Sequence, residues 1–315
     1  MSAAARPWRL WALPLAALVL ALAIGLSPLT RGSGVSVETA YSLLLPRAVL
    51  GALVGGALAA CGAVLQGVLR NPLASPYTLG LASGAAVGAA AAILVGGTPQ
   101  LVPATFLGAL VGALSAAALV YAIAARSELA AETLLLAGVA VALFGGAVTS
   151  LMHYLAGKVE LTRMLLWSLG SLVAPDFGPV YLALPGIALG GLGILWVWRR
   201  LEVATLDDDS ARALGVDPVK VRRVAFASCA VITAAAVSVA GPVGFVGLIV
   251  PHAARALVGP DPRLLLPCST LLGGAALVAA DVVARTVWFP EDLPINLITH
   301  AVGCPLFVLI LLRQR

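Results

Sequence analysis

Ten apolar runs, separated by prolines, glycines and short charged stretches, decide what this 315-residue chain can become. They lie at about 10–29, 47–68, 78–95, 101–125, 133–155, 180–198, 224–241, 245–258, 264–286 and 295–312. Most approach the roughly 20 residues that a helix needs to cross a hydrocarbon layer about 30 Å thick. The runs are continuous, whereas the strands of a membrane barrel alternate apolar and polar positions. In lipid each backbone N–H and C=O must be paired within the spanning structure, so helices are the expected form. The expected fold class is all-α: a polytopic membrane protein of about ten transmembrane helices, forming a single transmembrane domain over 1–315. The run at 245–258 is the weakest and is the candidate for a half-length helix.

Charge scarcity closes the other routes. Acids number 14 and bases 19, and charged residues make up 10% of the chain, where a soluble domain carries about 25%. That excludes a soluble enzyme, a disordered chain and a nucleic-acid-binding domain. The first run follows Arg6 and Arg9 and mimics a secretory signal with Ala21–Ala23 at a cleavage site. Its length exceeds the 7–15 residues of a signal core, so it is read as a retained first helix.

The bases also set an orientation. With both termini in the cytoplasm, 14 of the 19 fall inside, including Arg70, Arg126, Arg199, Arg200, Arg212, Lys220, Arg222, Arg223, Arg255 and Arg263. Arg31, Arg47, Lys158, Arg163 and Arg285 fall outside. That excess obeys the positive-inside rule, and the reverse orientation violates it. Within the runs, small residues recur at four-residue spacing (Gly51 and Gly55; Gly80, Gly84 and Gly88; Gly108 and Gly112), which lets helix backbones approach closely in lipid. A short echo links Gly62-Ala63-Val64 before Asn71-Pro72 with Gly241-Pro242-Val243 before Pro251-His252. Chance and an inverted repeat compete as its origin.

One segment is hydrophilic enough to live in water, from about 204 to 223. Asp207, Asp208 and Asp209 suit the positive end of a helix dipole. Gly215 suits a left-handed helix stop, and Asp217-Pro218 gives an N-cap with proline at the first helical position. Two short helices meeting at a sharp angle on the cytoplasmic face form a knuckle that another protein can grip.

Reactive chemistry is missing. His153, His252 and His300 belong to different segments, and no serine or cysteine stands in a nucleophile-elbow context. Cys61, Cys229, Cys268 and Cys304 are far apart inside apolar stretches, without ligand spacing. Gly157-Lys158-Val159 lacks both the earlier glycine and the hydroxyl of a phosphate loop. No catalytic, cofactor or metal residues are therefore expected, and any ATP hydrolysis belongs to a separate chain. Asp281 and Arg285, four apart, share a helix face and can pair.

The motifs in order are Leu45-Pro46-Arg47; Gly62-Ala63-Val64-Leu65-Gln66-Gly67 running into Arg70-Asn71-Pro72-Leu73-Ala74; Leu134-Leu135-Leu136-Ala137-Gly138; Trp167-Ser168-Leu169-Gly170-Ser171-Leu172; Ala211-Arg212-Ala213-Leu214-Gly215-Val216; Ala240-Gly241-Pro242-Val243-Gly244-Phe245 on to Pro251-His252; Asp281 with Arg285; and Gly303-Cys304-Pro305-Leu306-Phe307. Together they resemble the permease subunits of ABC importers for iron-siderophore, haem and cobalamin, across nearly the whole chain. The resemblance implies ten transmembrane helices and a homodimer with its pathway on the two-fold axis. It also implies two copies of an ABC ATPase subunit, a periplasmic or lipid-anchored substrate-binding protein, and residence in a bacterial cytoplasmic membrane. The implied cargo is a metal chelate, with ferric siderophore favoured as the commonest family role and haem or cobalamin open.

By the same resemblance, the ATPase couples through Leu206, Asp207, Ala211, Arg212, Leu214, Gly215 and Val216. Arg47 and Arg285 dock the binding protein, with Leu44 standing where some relatives carry another arginine. Asn71 and Leu73 match the inner gate, whose remaining positions, Ala131 and Glu132, replace small hydroxyl residues of a cobalamin-importing relative. The alternative is a stand-alone secondary carrier driven by an ion gradient, which the shortage of carboxylates within the runs disfavours.

Overall fold

The computed structural model describes residues 9–30, 36–96 and 102–313. Arg6, Arg31 and Arg315, used above for orientation, lie outside them. The described residues form twelve α-helices: α1 (Arg9–Leu26), α2 (Val37–Val68), α3 (Leu81–Gly96), α4 (Val102–Ala124), α5 (Ala131–Leu155), α6 (Lys158–Ser168), α7 (Gly178–Ala204), α8 (Asp208–Ala213), α9 (Pro218–Ala240), α10 (Val246–Val258), α11 (Pro262–Thr286) and α12 (Ile295–Arg313).

Seven of them (α1, α2, α4, α5, α7, α9 and α11) are long and apolar enough to cross a bilayer. Three shorter apolar helices, α3, α10 and α12, fill the remaining expected places. The chain is a multi-pass membrane protein. α10 has 13 residues, about 20 Å at 1.5 Å per residue, so it is the half-length helix expected.

Three boundaries depart from the sequence reading. α2 begins at Val37 rather than near 47, capped by the Ser36 hydroxyl, which accepts from the Thr39 N–H; Arg47 therefore sits ten residues inside a helix. α6, which the runs do not contain, is an eleven-residue helix carrying Lys158, Glu160 and Arg163, too polar and too short to span. The second helix of the knuckle is not separate: α9 starts at Pro218 and runs without a break into the seventh run.

α2 and α9 form the centre. Buried residues make up 83% and 72% of their most apolar windows, against 17–28% for α1, α4, α5 and α7. The small-residue spacings explain how the backbones come so close. A Cβ on Gly88 would lie 1.9 Å from the Gly108 carbonyl of α4, and one on Gly55 would lie 2.3 Å from the Gly273 carbonyl of α11. The two echoing stretches meet each other, since a Cβ on Gly62 would fall 1.7 Å from the Gly247 carbonyl. Only a hydrogen fits there.

Candidate functional site

The loops gather into two ends. At the base-rich end lie the α2–α3 loop, the α4–α5 turn, the α7–α8–α9 knuckle and the α10–α11 turn. The Trp198 indole N–H ties the last of these to α7 by donating to the Pro262 carbonyl at 2.8 Å. Arg70, Arg212, Arg222 and Arg263 all stand here, and Arg47 and Arg285 stand at the other end.

The knuckle is built as its sequence requires. Asp207 caps α8, its carboxylate accepting from the Ser210 N–H at 3.0 Å. The hydrogen bond from the Ser210 backbone is the main cause holding the Asp207 carboxyl below its usual range. Gly215, at φ +78°, closes α8 in a Schellman turn: its N–H donates to the Arg212 carbonyl, and the Val216 N–H donates to Ala211. Asp217 caps α9 through the Val219 and Lys220 amides. Ala211 is fully buried at the root of the structure, whereas Leu206 and Leu214 are 43% and 62% exposed. Arg212 is also exposed, near Glu128 and Asp209 at 3.6 Å each. The knuckle thus holds two leucines outward on a short helix capped at both ends.

Sequence reasoning missed what the second aspartate does. Asp208 stands in the first turn of α8, where the helix dipole favours it, and it also accepts from the Arg70 guanidinium at 2.5 Å and from Arg222 Nη1 at 3.0 and 3.1 Å. Partial burial works to raise its pKa, and the hydrogen bonds and charges of Arg70 and Arg222 outweigh it, leaving the carboxyl below its usual range. Arg222 Nη2 donates on to the Glu128 carbonyl at 3.3 Å. No spacing rule predicts a pair 138 residues apart.

Of the proposed gate residues, Asn71 and Leu73 occupy the α2–α3 loop so tied, and Ala131 and Glu132 begin the helix that follows the α4–α5 turn. Asn71 is half-buried and its side-chain oxygen accepts from the Leu73 N–H at 2.8 Å, an Asx turn; Leu73 is 44% exposed. α2 ends before them in a Schellman turn whose left-handed position is Arg70, at φ +48° rather than the customary glycine. Ala131 is half-buried and Glu132 exposed in the first turn of α5.

At the opposite end, Arg47 and Arg285 are buried rather than presented at a helix mouth, with 8% and 7% exposure. Arg47 Nε donates to both oxygens of Asp281 at 2.7 and 2.9 Å, and Nη1 reaches Asp292 at 2.5 Å. Arg285 Nη2 donates to the Ser27 carbonyl and hydroxyl at 2.6 and 2.7 Å. Its Nε lies 3.5 Å from Asp281, so the intrahelical pair exists but is the weaker partner of that carboxylate. Two buried arginines are balanced by the buried Asp281 and the part-exposed Asp292, and the cluster lies beneath a cleft of about 580 Å³ lined also by Leu43, Val173 and Phe289.

Two of the sequence motifs, Trp167–Leu172 and the stretch from Ala240, converge with the first turn of α12. The Ser171 N–H donates to the Ala240 carbonyl at 2.9 Å, and Gly244 N–H donates to the Asn296 side chain at 3.1 Å. A Cβ on Gly170 would lie 2.7 Å from the Pro242 carbonyl. Among the described residues no group of three or more His, Cys, Asp or Glu side chains is placed to hold a metal ion.

Comparison with known proteins places this architecture. The model of the FecCD transport family matches residues 10–313. The cobalamin import system permease protein of Halobacterium salinarum is 46% identical over 310 residues, covering 96% of this chain and 80% of that one. The hemin transport system permease protein of Yersinia pestis is 36% identical over 281 residues, covering 87% and 83%. A solved metal-chelate type ABC transporter, in an inward-facing conformation, superposes with a TM-score of 0.87 at 30% identity, covering 96% of this chain and 98% of that one.

Proposed function

Because this chain belongs to the FecCD transport family of ABC importer permeases, we propose that it is the membrane subunit through which a metal chelate enters the cytoplasm, driven by ATP hydrolysed on a separate chain. The observation that carries the reading is the knuckle. Leu206 and Leu214 stand exposed on a capped, rigid element at the base-rich end, which the positive-inside rule assigns to the cytoplasm. An ATPase subunit docks there through Leu206, Arg212, Leu214 and Val216, while Asp207, Ala211 and Gly215 hold the shape. Both termini are then cytoplasmic.

The chain works as a homodimer with two ATPase subunits, and Asn71, Leu73, Ala131 and Glu132 line the inner gate. A substrate-binding protein docks over the cleft at the opposite end. Arg47 and Arg285 act there from beneath the surface, so a partner carboxylate competes with Asp292 for Arg47 Nη1. The cargo is a chelate of the cobalamin, haem or siderophore kind. Ferric siderophore is favoured among these as the commonest role in the family. Proton-coupled carriers commonly use a carboxylate within the membrane, and Asp281 is held between two arginines.

The test is copurification of the chain with an ATPase whose activity rises when a loaded binding protein is added. Each candidate chelate is then supplied to proteoliposomes. Uptake that needs an ion gradient and ignores ATP overturns the reading.

A further inference from the structure

Nothing assigned to the knuckle explains why its second aspartate turns away from its own helix. Asp207 already caps α8, so Asp208 is spare. It bridges Arg70, in the loop that carries Asn71 and Leu73, to Arg222 on the first turns of α9. Through Arg222 the bridge reaches the Glu128 carbonyl, three residues before Ala131. One half-buried carboxylate thus ties together the three loops that the proposed coupling and gating residues occupy.

The backbone carries a second, independent sign. Four non-glycine residues among those described have positive φ, and three of them are Arg70, Glu128 and Leu129, at +48°, +53° and +59°. Such conformations persist only where the surroundings over-determine them, and they cluster at switch regions. Here they sit at the two junctions that the Asp208 bridge holds. Leu129 is 1% exposed, so the turn is pinned by packing on one side and by the guanidinium of Arg222 on the other.

We propose that Asp208 is a positioning residue that makes the knuckle and the α2–α3 gate loop move as one body. Displacement of α8 by the ATPase then reaches Asn71 and Leu73 directly, without passing along the length of α9. The inference rests on the reading of α8 as the ATPase dock.

The test uses the permease–ATPase complex in proteoliposomes, with the exposed Cys304 replaced by serine. Asp208→Asn keeps an acceptor of the same shape without charge. It should copurify with the ATPase and retain basal hydrolysis, while uptake per ATP falls about tenfold, within the span by which residues on a coupling route act. Asp208→Glu should recover most of the loss, and Glu202→Gln, an exposed charge paired at 3.6 Å with Arg263, should lose nothing. In an Arg70→Cys/Asp208→Cys double variant, a short reducible bis-thiosulfonate crosslinker should restore uptake, and reductant should remove the gain. Unchanged uptake in Asp208→Asn overturns the proposal, as does uptake blocked by the crosslink and released by reductant. Loss of copurification in Asp208→Asn alone makes the residue part of the dock and also overturns it. Failure of the unmodified chain to bind any ATPase overturns the functional reading instead.

Discussion

Replacing Asp281 by alanine offers the most direct measure of what holds the outer end together. Asp281 is 1% exposed and takes both oxygens' worth of Arg47 Nε, with Arg285 3.5 Å away. Truncation leaves two buried guanidinium groups facing one another. Arg47 keeps Asp292 and Arg285 keeps Ser27, so neither is stranded, but both lose the charge that made their burial tolerable. Breaking a buried pair by removing one partner costs about 3–5 kcal/mol. Asp292 has a side chain 40% exposed, and exposed pairs contribute about 0–1 kcal/mol. Asp292→Ala should therefore cost a fraction as much. Chains of 150–250 residues lose roughly 2–4 °C of Tm per kcal/mol and longer chains less, so in this chain of 315 residues Asp281→Ala should melt up to about 10 °C lower and Asp292→Ala within about 2 °C of the unmodified protein. With the exposed Cys304 replaced by serine the chain supplies its own assay, because Cys61, Cys229 and Cys268 are buried and become reactive to a thiol dye only on unfolding. Equal, small losses in the two variants would refute the reasoning, for the arginines would then be hydrated rather than held by Asp281.

The other expectations concern transport. Leu214→Glu places a charge on the most exposed apolar residue of the knuckle; ATPase copurification should fall more than tenfold with membrane insertion intact. Cysteines at Asn71 or Leu73 should crosslink between protomers in one nucleotide state and not another, and crosslinking that ignores nucleotide removes these residues from the gate. Asp292→Asn frees Arg47 Nη1 and should speed binding-protein association, most at low ionic strength; rates unchanged across a salt series leave Arg47 an internal brace. Asp207 and Asp208 have depressed pKa values in the fold, so the stability they add is complete above the unfolded value of about 3.9 and is lost as pH falls through the lower folded value. Knuckle geometry, followed by protease access near Arg212, should therefore stay constant from pH 8 to pH 5.

Features that depend on neighbours along the chain were legible before any packing was known. Apolar length against bilayer thickness gives the spanning helices and the half-length α10. The cap at Asp217, the left-handed stop at Gly215 and the small-residue spacings that let α3 meet α4 are likewise local, because each is satisfied within a few residues or by any close partner. Tertiary structure decided what depends on residues far apart. Ser36 caps α2 outside the apolar run, so Arg47 lies inside a helix, where Asp281 on α11 can take its charge 234 residues away. Asp207, Asp208 and Asp209 are chemically alike, yet one caps, one bridges to Arg70 and Arg222, and one stands in water at 96% exposure. Helix geometry fixes the direction in which each side chain leaves the backbone. Which charge waits there is settled only when the helices pack.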